Sequence, residues 1–144
     1  MNATQPSKLS AIREEGDEIN VLIVALDVVP TEVRDAEVLV VAPALNSWLR
    51  HWLSDEDTAR RRAEERVTAH LERLERSGVH AEGRVGDADP LLAIADALAT
   101  FPADEIVIAA GRNSTRLAEG LAARARELFA LPTSHTAGRL PRAA

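Results

Sequence analysis

Cysteine is absent from this chain, and its absence excludes several kinds of site. The protein can have no disulfide framework, no thiol nucleophile and no thiolate metal site. A chain without cysteine is typical of a reducing compartment, so we expect a cytoplasmic location. Tyrosine is also absent and only one of the 17 basic residues is lysine, which we attribute to compositional bias rather than to a functional patch.

The chain also lacks the charge and the long apolar runs that some partners require. Its 23 acidic and 17 basic residues give a formal net charge of -6, which argues against nucleic acid and anionic membranes as partners. Residues 1–17 are polar and carry neither a basic leader nor a long apolar run, so we predict no signal peptide and no membrane span. A length of 144 residues suits one domain with its own core.

Short apolar runs alternate with helical patterns, which predicts a parallel sheet built from strand-helix-strand units. Residues 20–26 and 37–42 are continuous β-branched runs, typical of central strands that are covered on both faces. Residues 79–85 alternate apolar and polar side chains and are predicted to form an edge strand. A fourth, buried strand is predicted at residues 106–108, and residues 132–137 form a weak fifth edge strand at most.

A long charged helix is predicted between the second and third strands. Ser54 and Asp57 form a capping signal, an apolar stripe follows, and Gly78 ends the helix. Ten charged residues cover the other faces and are predicted to be solvated: Arg60, Arg61, Arg62, Glu64, Glu65, Arg66, Glu72, Arg73, Glu75 and Arg76.

Two further helices follow the third and fourth strands. Asp89 is a natural N-cap with Pro90 at the first helical position, although Asp87 and Asp89 also have the composition of a carboxylate pair aimed at a ligand. The last helix is predicted to run from Ser114 or Thr115 to residue 129. These two hydroxyl residues either cap the helix or, together with neighbouring arginines, offer an anion site at its N-terminus.

The first crossover is short for a parallel connection. Residues 27–36 separate the first two strands, whereas a crossover with its helix usually takes about a dozen residues or more. We predict a stunted helix of about one and a half turns at residues 30–35. Part of one sheet face would then lack a cover, and we expect either residues 7–15, through Leu9 and Ile12, or a partner subunit to supply it.

Four segments together resemble the universal stress protein family: the turn at residues 86–90, the helix around residues 93–94, the strand at residues 103–108 and the late segment 130–132. The resemblance covers most of residues 21–136, and residues 37–112 are especially similar to small actinobacterial members of undefined activity. It implies a three-layer α/β/α fold of the adenine nucleotide alpha hydrolase-like type, with an open five-stranded parallel sheet in the order 3-2-1-4-5. It also implies an adenine-nucleotide crevice in many members and frequent homodimers formed through the last strand.

The resemblance also indicates candidate nucleotide-binding residues at the carboxyl ends of the strands, where ligands of open α/β sheets bind. They are Asp27, Val41, Ala42, Gly111, Arg112, Ser114 and Gly120. The chain departs from the family's binding motif, because Gly111 and Gly120 are one residue too close and Leu121 stands where a hydroxyl residue is expected. Glycine is needed in such a loop because backbone amides must reach phosphate oxygens without an intervening Cβ. We therefore expect a degenerate motif and loss of ordinary ATP binding.

Trp48 and Trp52 follow the second strand and lie four residues apart, which would place them on one side of a short helix near the crevice mouth. They either cap the crevice as a lid or stacking platform for a base, or fill it as a plug or subunit contact. No metal site is predicted, because the histidines lack a suitable spacing with carboxylates. No nucleophile elbow supports acyl transfer.

We therefore predict a non-catalytic protein of the universal stress type that acts in the stress response through homodimer and protein-protein contacts, without a cofactor. The alternative is a sensor of ATP, AMP or another anion in the remnant crevice. A further alternative is a slow nucleotide hydrolase, for which no base or metal can be assigned. We expect an N-terminal extension at residues 1–18, one α/β domain at residues 19–137 and a C-terminal tail at residues 138–144.

Overall fold

Five parallel strands form one sheet at the centre of the molecule. The structure is a computed structural model and describes residues 18–45 and 56–136. Its elements in chain order are β1 (Ile19–Ala25), β2 (Ala36–Pro43), α1 (Glu56–Arg76), β3 (Ala81–Gly86), α2 (Pro90–Thr100), β4 (Glu105–Ala109), α3 (Thr115–Phe129) and β5 (Thr133–His135). The strand order is β3-β2-β1-β4-β5, with every pair parallel. This order and the helices confirm the predicted three-layer α/β/α fold.

The side chains of β1 pack into two hydrophobic cores, one on each face of the sheet. Leu22 and Val24 of β1 pack into one core with α2 and α3. Val21 and Ile23, which point the other way because side chains alternate along a strand, pack into a second core with α1. Among the described residues, α1 is the only helix that contributes to this second core. No helix in the described part of the chain is both long and apolar enough to cross a membrane.

Capping groups fix the ends of two helices at the predicted places. The Leu91 backbone N–H donates to Asp89 Oδ1 at 3.0 Å, and Pro90 follows as the first residue of α2. Asp89 N in turn donates to Asp87 Oδ1 at 2.9 Å. Both aspartates therefore act in the turn, as the capping interpretation predicted. Gly78 has a φ of 79° and ends α1, since a left-handed residue closes the last helical turn.

The first crossover contains no helix, so the prediction of a stunted helix at residues 30–35 is wrong. A helix of one and a half turns fixes many dihedral angles for very few hydrogen bonds, and the chain gains more by packing Val29 and Val33 onto the second core. Asp35 then takes a left-handed φ of 52° and accepts a hydrogen bond on its carbonyl oxygen from Ile19 N at 3.3 Å.

Several sequence predictions fall outside the described residues. They concern the cover proposed at residues 7–15, the tryptophans Trp48 and Trp52, the helix start at Ser54, and the tail at residues 138–144. The weak fifth strand is described, and it is the three-residue strand β5 at one edge of the sheet.

Candidate functional site

The crevice expected of this fold lies between β1 and β4, where successive crossovers leave the sheet in opposite directions. Asp27 follows β1 and Gly111 follows β4, and the structure brings these two predicted site residues together. The Gly111 backbone N–H donates to Asp27 Oδ2 at 2.8 Å. The end of β1 also bends over β4, because Leu26 N and Asp27 N both donate to the Ala109 carbonyl oxygen at 3.0 Å.

The amide next to Gly111 is occupied as well. Ala110 N donates to Thr136 Oγ1 at 2.9 Å, and the same hydroxyl donates to the Ala110 carbonyl oxygen at 2.9 Å. Thr136 directly follows β5, so one side chain joins the ends of β4 and β5. Both backbone N–H groups at the end of β4 are therefore bound by the chain's own side chains, whereas a phosphate cradle needs such groups free.

The backbone at Gly111 does not itself require glycine. Its φ of -92° and ψ of -173° lie in the extended region that other residues adopt. A Cβ built there would lie 3.6 Å from Asp27 Oδ2 and 3.8 Å from Val29 Cγ1, which are ordinary contact distances. Gly111 therefore adds no steric room that an alanine would remove.

The remaining predicted site residues lie in two different settings. Val41 and Ala42 are buried in β2, and their side chains belong to opposite cores. The carbonyl oxygen of the next residue, Pro43, accepts a hydrogen bond from Arg66 Nη2 at 2.5 Å. Gly120 lies inside α3 on its exposed surface, with no atom within 4 Å of a Cβ built there. The structure therefore does not bring Gly120 to the crevice.

Arg112 and Ser114 form a short 3-10 turn between β4 and α3. Ser114 occupies the N-cap position of α3, but its side chain makes no capping hydrogen bond. Thr115 Oγ1 instead donates to the Arg112 carbonyl oxygen at 2.8 Å. Ser114 therefore holds the N-cap position predicted for one of these two hydroxyl residues, but its hydroxyl does not bind the first amides of α3.

Arg66 is a site residue that the sequence analysis missed, because it was predicted to be solvated. The side chain is half-buried and donates from Nε to the Ala25 carbonyl oxygen at 3.0 Å, in addition to its bond with Pro43. Burial lowers the pKa of the Arg66 guanidinium, and the nearby Asp27 carboxylate opposes that effect. One guanidinium group therefore joins the carboxyl ends of β1 and β2.

His70 lies one helical turn after Arg66 and was missed for a similar reason. It is 1% exposed, and its Nε2 lies 2.8 Å from the Asp27 carbonyl oxygen. Burial lowers the pKa of His70, the hydrogen bond to Asp27 opposes this, and the positive charges of Arg73 and Arg66 lower it further. A neutral imidazole with its proton on Nε2 fits this contact, since a carbonyl oxygen can only accept.

A signal for His70 was present in the sequence. Residues 63, 67, 70 and 74 follow the three- and four-residue spacing of one helix face, and this spacing places His70 within the apolar stripe of α1. Arg66 stands beside Val67 and four residues before His70, at the border of that stripe. A polar pair at this spacing within an apolar stripe indicates buried acceptors opposite it.

Residues 18–45 and 56–136 contain no group of three or more histidine, aspartate or glutamate side chains that could hold a metal ion. The chain matches no protein-family model, and a search of the curated proteins finds no match. Membership of the universal stress protein family therefore stays a prediction from the residues quoted above, and a fold alone does not establish a function.

Proposed function

We propose that this protein is a non-catalytic binding module of the universal stress type that acts through contacts with other protein surfaces and has lost ATP binding in the family's manner. The observation that carries the proposal is that two side chains bind the backbone N–H groups at the end of β4. Asp27 accepts from the Gly111 amide and Thr136 accepts from the Ala110 amide. Both backbone N–H groups at the end of β4 therefore have hydrogen-bond partners within the chain, and neither is free to bind a ligand.

The hydrogen bond between the Gly111 amide and Asp27 opposes phosphate binding in two ways: it occupies the amide, and it places a negative charge beside it. Asp27 places a carboxylate oxygen 2.8 Å from the amide that a phosphate oxygen would use. A triphosphate would have to displace that carboxylate and leave it nearby, and two like charges about 4 Å apart repel strongly in a partly buried site. The Nε and Nη2 groups of Arg66 cannot bind the phosphate in this arrangement, because both already donate to carbonyl oxygens.

Exposed apolar side chains on α3 support the role in protein contacts. Leu117 and Leu128 are 44% and 58% exposed. They lie eleven residues apart, about three helical turns, and so share one side of α3. The adjacent strand β5 is an edge of the sheet in the described part of the chain, and its Thr133 carbonyl oxygen accepts a hydrogen bond from Arg126 Nε at 3.0 Å. A homodimer that buries α3 and β5 is the arrangement we propose.

Calorimetric titration of the purified protein with ATP, AMP and cyclic AMP in the presence of Mg²⁺ tests the loss of nucleotide binding. We expect no saturable heat up to millimolar nucleotide. Micromolar affinity that disappears in Arg112→Ala, but survives in the control Arg124→Ala on the exposed surface of α3, would overturn the proposal.

The uncapped start of α3 favours a second candidate function, the sensing of a small anion. Arg112 and Arg116 are exposed beside amides that the Ser114 side chain does not cap, and a helix N-terminus attracts negative charge. Titration with inorganic phosphate and pyrophosphate tests this candidate. Binding that requires Arg112 but is insensitive to Asp27→Asn would favour an anion sensor that uses the turn and not the crevice.

A further inference from the structure

A groove of about 730 Å³ lies at the amino ends of the strands, between the loop at residues 30–35 and the last turn of α1. In right-handed connections, the crossovers from β1 to β2 and from β2 to β3 place their helices on the same face. The groove therefore lies where a helix of the first crossover would run. Arg66 and His70 fill the carboxyl half of this space by their bonds to the strand ends, and the amino half stays open.

The groove has an apolar floor and a charged rim. Val33, Leu74 and Val79 supply apolar side chains, and all three belong to the core on this face. The rim carries charges of both signs, from the exposed residues Glu32, Arg34, Asp35, Arg73 and Arg76. Neither Arg73 nor Arg76 forms an ion pair with any residue in the part of the chain that the structure describes. Such a surface suits an amphipathic segment that has charged residues of both signs beside its apolar ones.

We propose that residues 7–15 of the same chain occupy this groove in place of the missing crossover helix. Ile19 N bonds to the Asp35 carbonyl oxygen, and Asp35 lines the groove. The described part of the chain therefore begins beside the loop that lines the groove. Six residues of extended chain span about 20 Å, which is long enough for the segment to reach along the last turns of α1.

The chemistry of the segment matches the groove. Leu9 and Ile12 are three residues apart, which places them on one side of a helical turn. Arg13 follows and can face the acidic residues Glu32 and Asp35 of the rim, and Glu14 and Glu15 come next and offer carboxylates to the rim arginines. A tethered segment also acts at an effective concentration in the millimolar range, so it competes well against a free partner.

The absence of cysteine permits a direct test by cross-linking. In the full-length protein, Arg13→Cys is combined with Ser77→Cys, which keeps Leu9 and Ile12 in place and puts the second thiol in the groove lining. The matched control combines Arg13→Cys with Ala99→Cys, an exposed position near the same edge on the opposite face of the sheet. We expect an intramolecular disulfide to form about tenfold faster in the first pair, because docking raises the local thiol concentration.

Equal rates in the two pairs would overturn the proposal, and a disulfide between two chains would assign the groove to a second copy instead. Hydrogen exchange of the chain without cysteines gives an independent readout. Leu9→Asp combined with Ile12→Asp should accelerate exchange at residues 76–79 and leave α2 unchanged. Unchanged exchange at residues 76–79 would contradict docking, whatever the cross-linking shows.

Discussion

Arg66 holds together the carboxyl ends of two neighbouring strands with one side chain. The carbonyl oxygens of Ala25 and Pro43 both accept from its guanidinium group in a half-buried setting. Removing the donor leaves two acceptors to find water or remain unsatisfied, and a hydrogen bond to a charged group contributes about 1.5–3 kcal/mol. The effect of Arg66 on stability should therefore exceed that of the other arginines on α1.

We expect Arg66→Ala to lower the free energy of unfolding by about 2–3 kcal/mol in urea titrations. Arg60→Ala, an exposed arginine on the same helix, should change it by less than about 0.5 kcal/mol. Equal small effects for both variants would show that the two strand-end bonds contribute nothing to stability.

His70 should make stability depend on pH in a defined direction. Burial lowers its folded-state pKa below the ordinary value of 6.5, so the unfolded chain binds the proton more readily. The contribution of His70 is present above pH 6.5 and is lost as the pH falls through 6.5 toward the lower folded pKa. The stability difference between the unmodified protein and His70→Gln should therefore shrink from pH 7.5 to pH 5.5 in urea titrations.

His80 is a control for that experiment, because its pKa shifts in the opposite direction to that of His70. The hydrogen bond that His80 Nδ1 donates to the Glu37 carboxylate raises the pKa of His80, and the side chain is exposed. Its contribution is complete below 6.5 and is lost as the pH rises through the raised value. His80→Gln should therefore leave the acid-side loss intact, and parallel curves for the unmodified protein and His70→Gln would contradict the account.

At the scale of elements, glycine allows α2 to pack closely against β3. A Cβ at Gly86 would lie 2.8 Å from Ala93 Cβ and 2.9 Å from Val41 Cγ2. Ala93 has no rotamer with which to withdraw, so helix and strand would have to separate. Gly111, in contrast, has ordinary room for a Cβ.

We expect Gly86→Ala to destabilise the protein by about 1–3 kcal/mol through overpacking. Gly111→Ala should be neutral or stabilise it by up to about 1 kcal/mol, because alanine restricts the unfolded chain. Thermal unfolding of the two variants measures the contrast. Strong destabilisation by Gly111→Ala would indicate that the end of β4 needs glycine for a reason that its contacts do not show.

Most of the elements could be predicted from the sequence, because apolar periodicity and capping residues are local signals. The α2 start at Asp89 and Pro90 is such a case. The first crossover could not be predicted, since loop and short helix differ only in how Val29 and Val33 pack on the sheet.

The candidate site was predicted in part. Asp27 and Gly111 were named, but their bond joins residues 84 positions apart, and no local pattern reports it.

At the scale of the whole molecule, the exposed leucines of α3 make a prediction about assembly. If α3 and β5 form a homodimer, then Leu128→Asp should convert the dimer to a monomer in sedimentation velocity experiments, because a buried charge disfavours the interface. Leu92→Asp is the matched control, since Leu92 is 46% exposed on α2. A monomeric unmodified protein, or equal loss of dimer in both variants, would contradict this arrangement.

The central claim is that the end of β4 is closed by the chain's own side chains. Amide NMR of Gly111 and Ala110 during titration with Mg²⁺ and ATP tests it most directly, because these two N–H groups are the ones that Asp27 and Thr136 occupy. We predict slow hydrogen exchange at both amides and no change in their chemical shifts up to millimolar ATP. A saturable shift of the Gly111 amide at micromolar ATP would contradict the account.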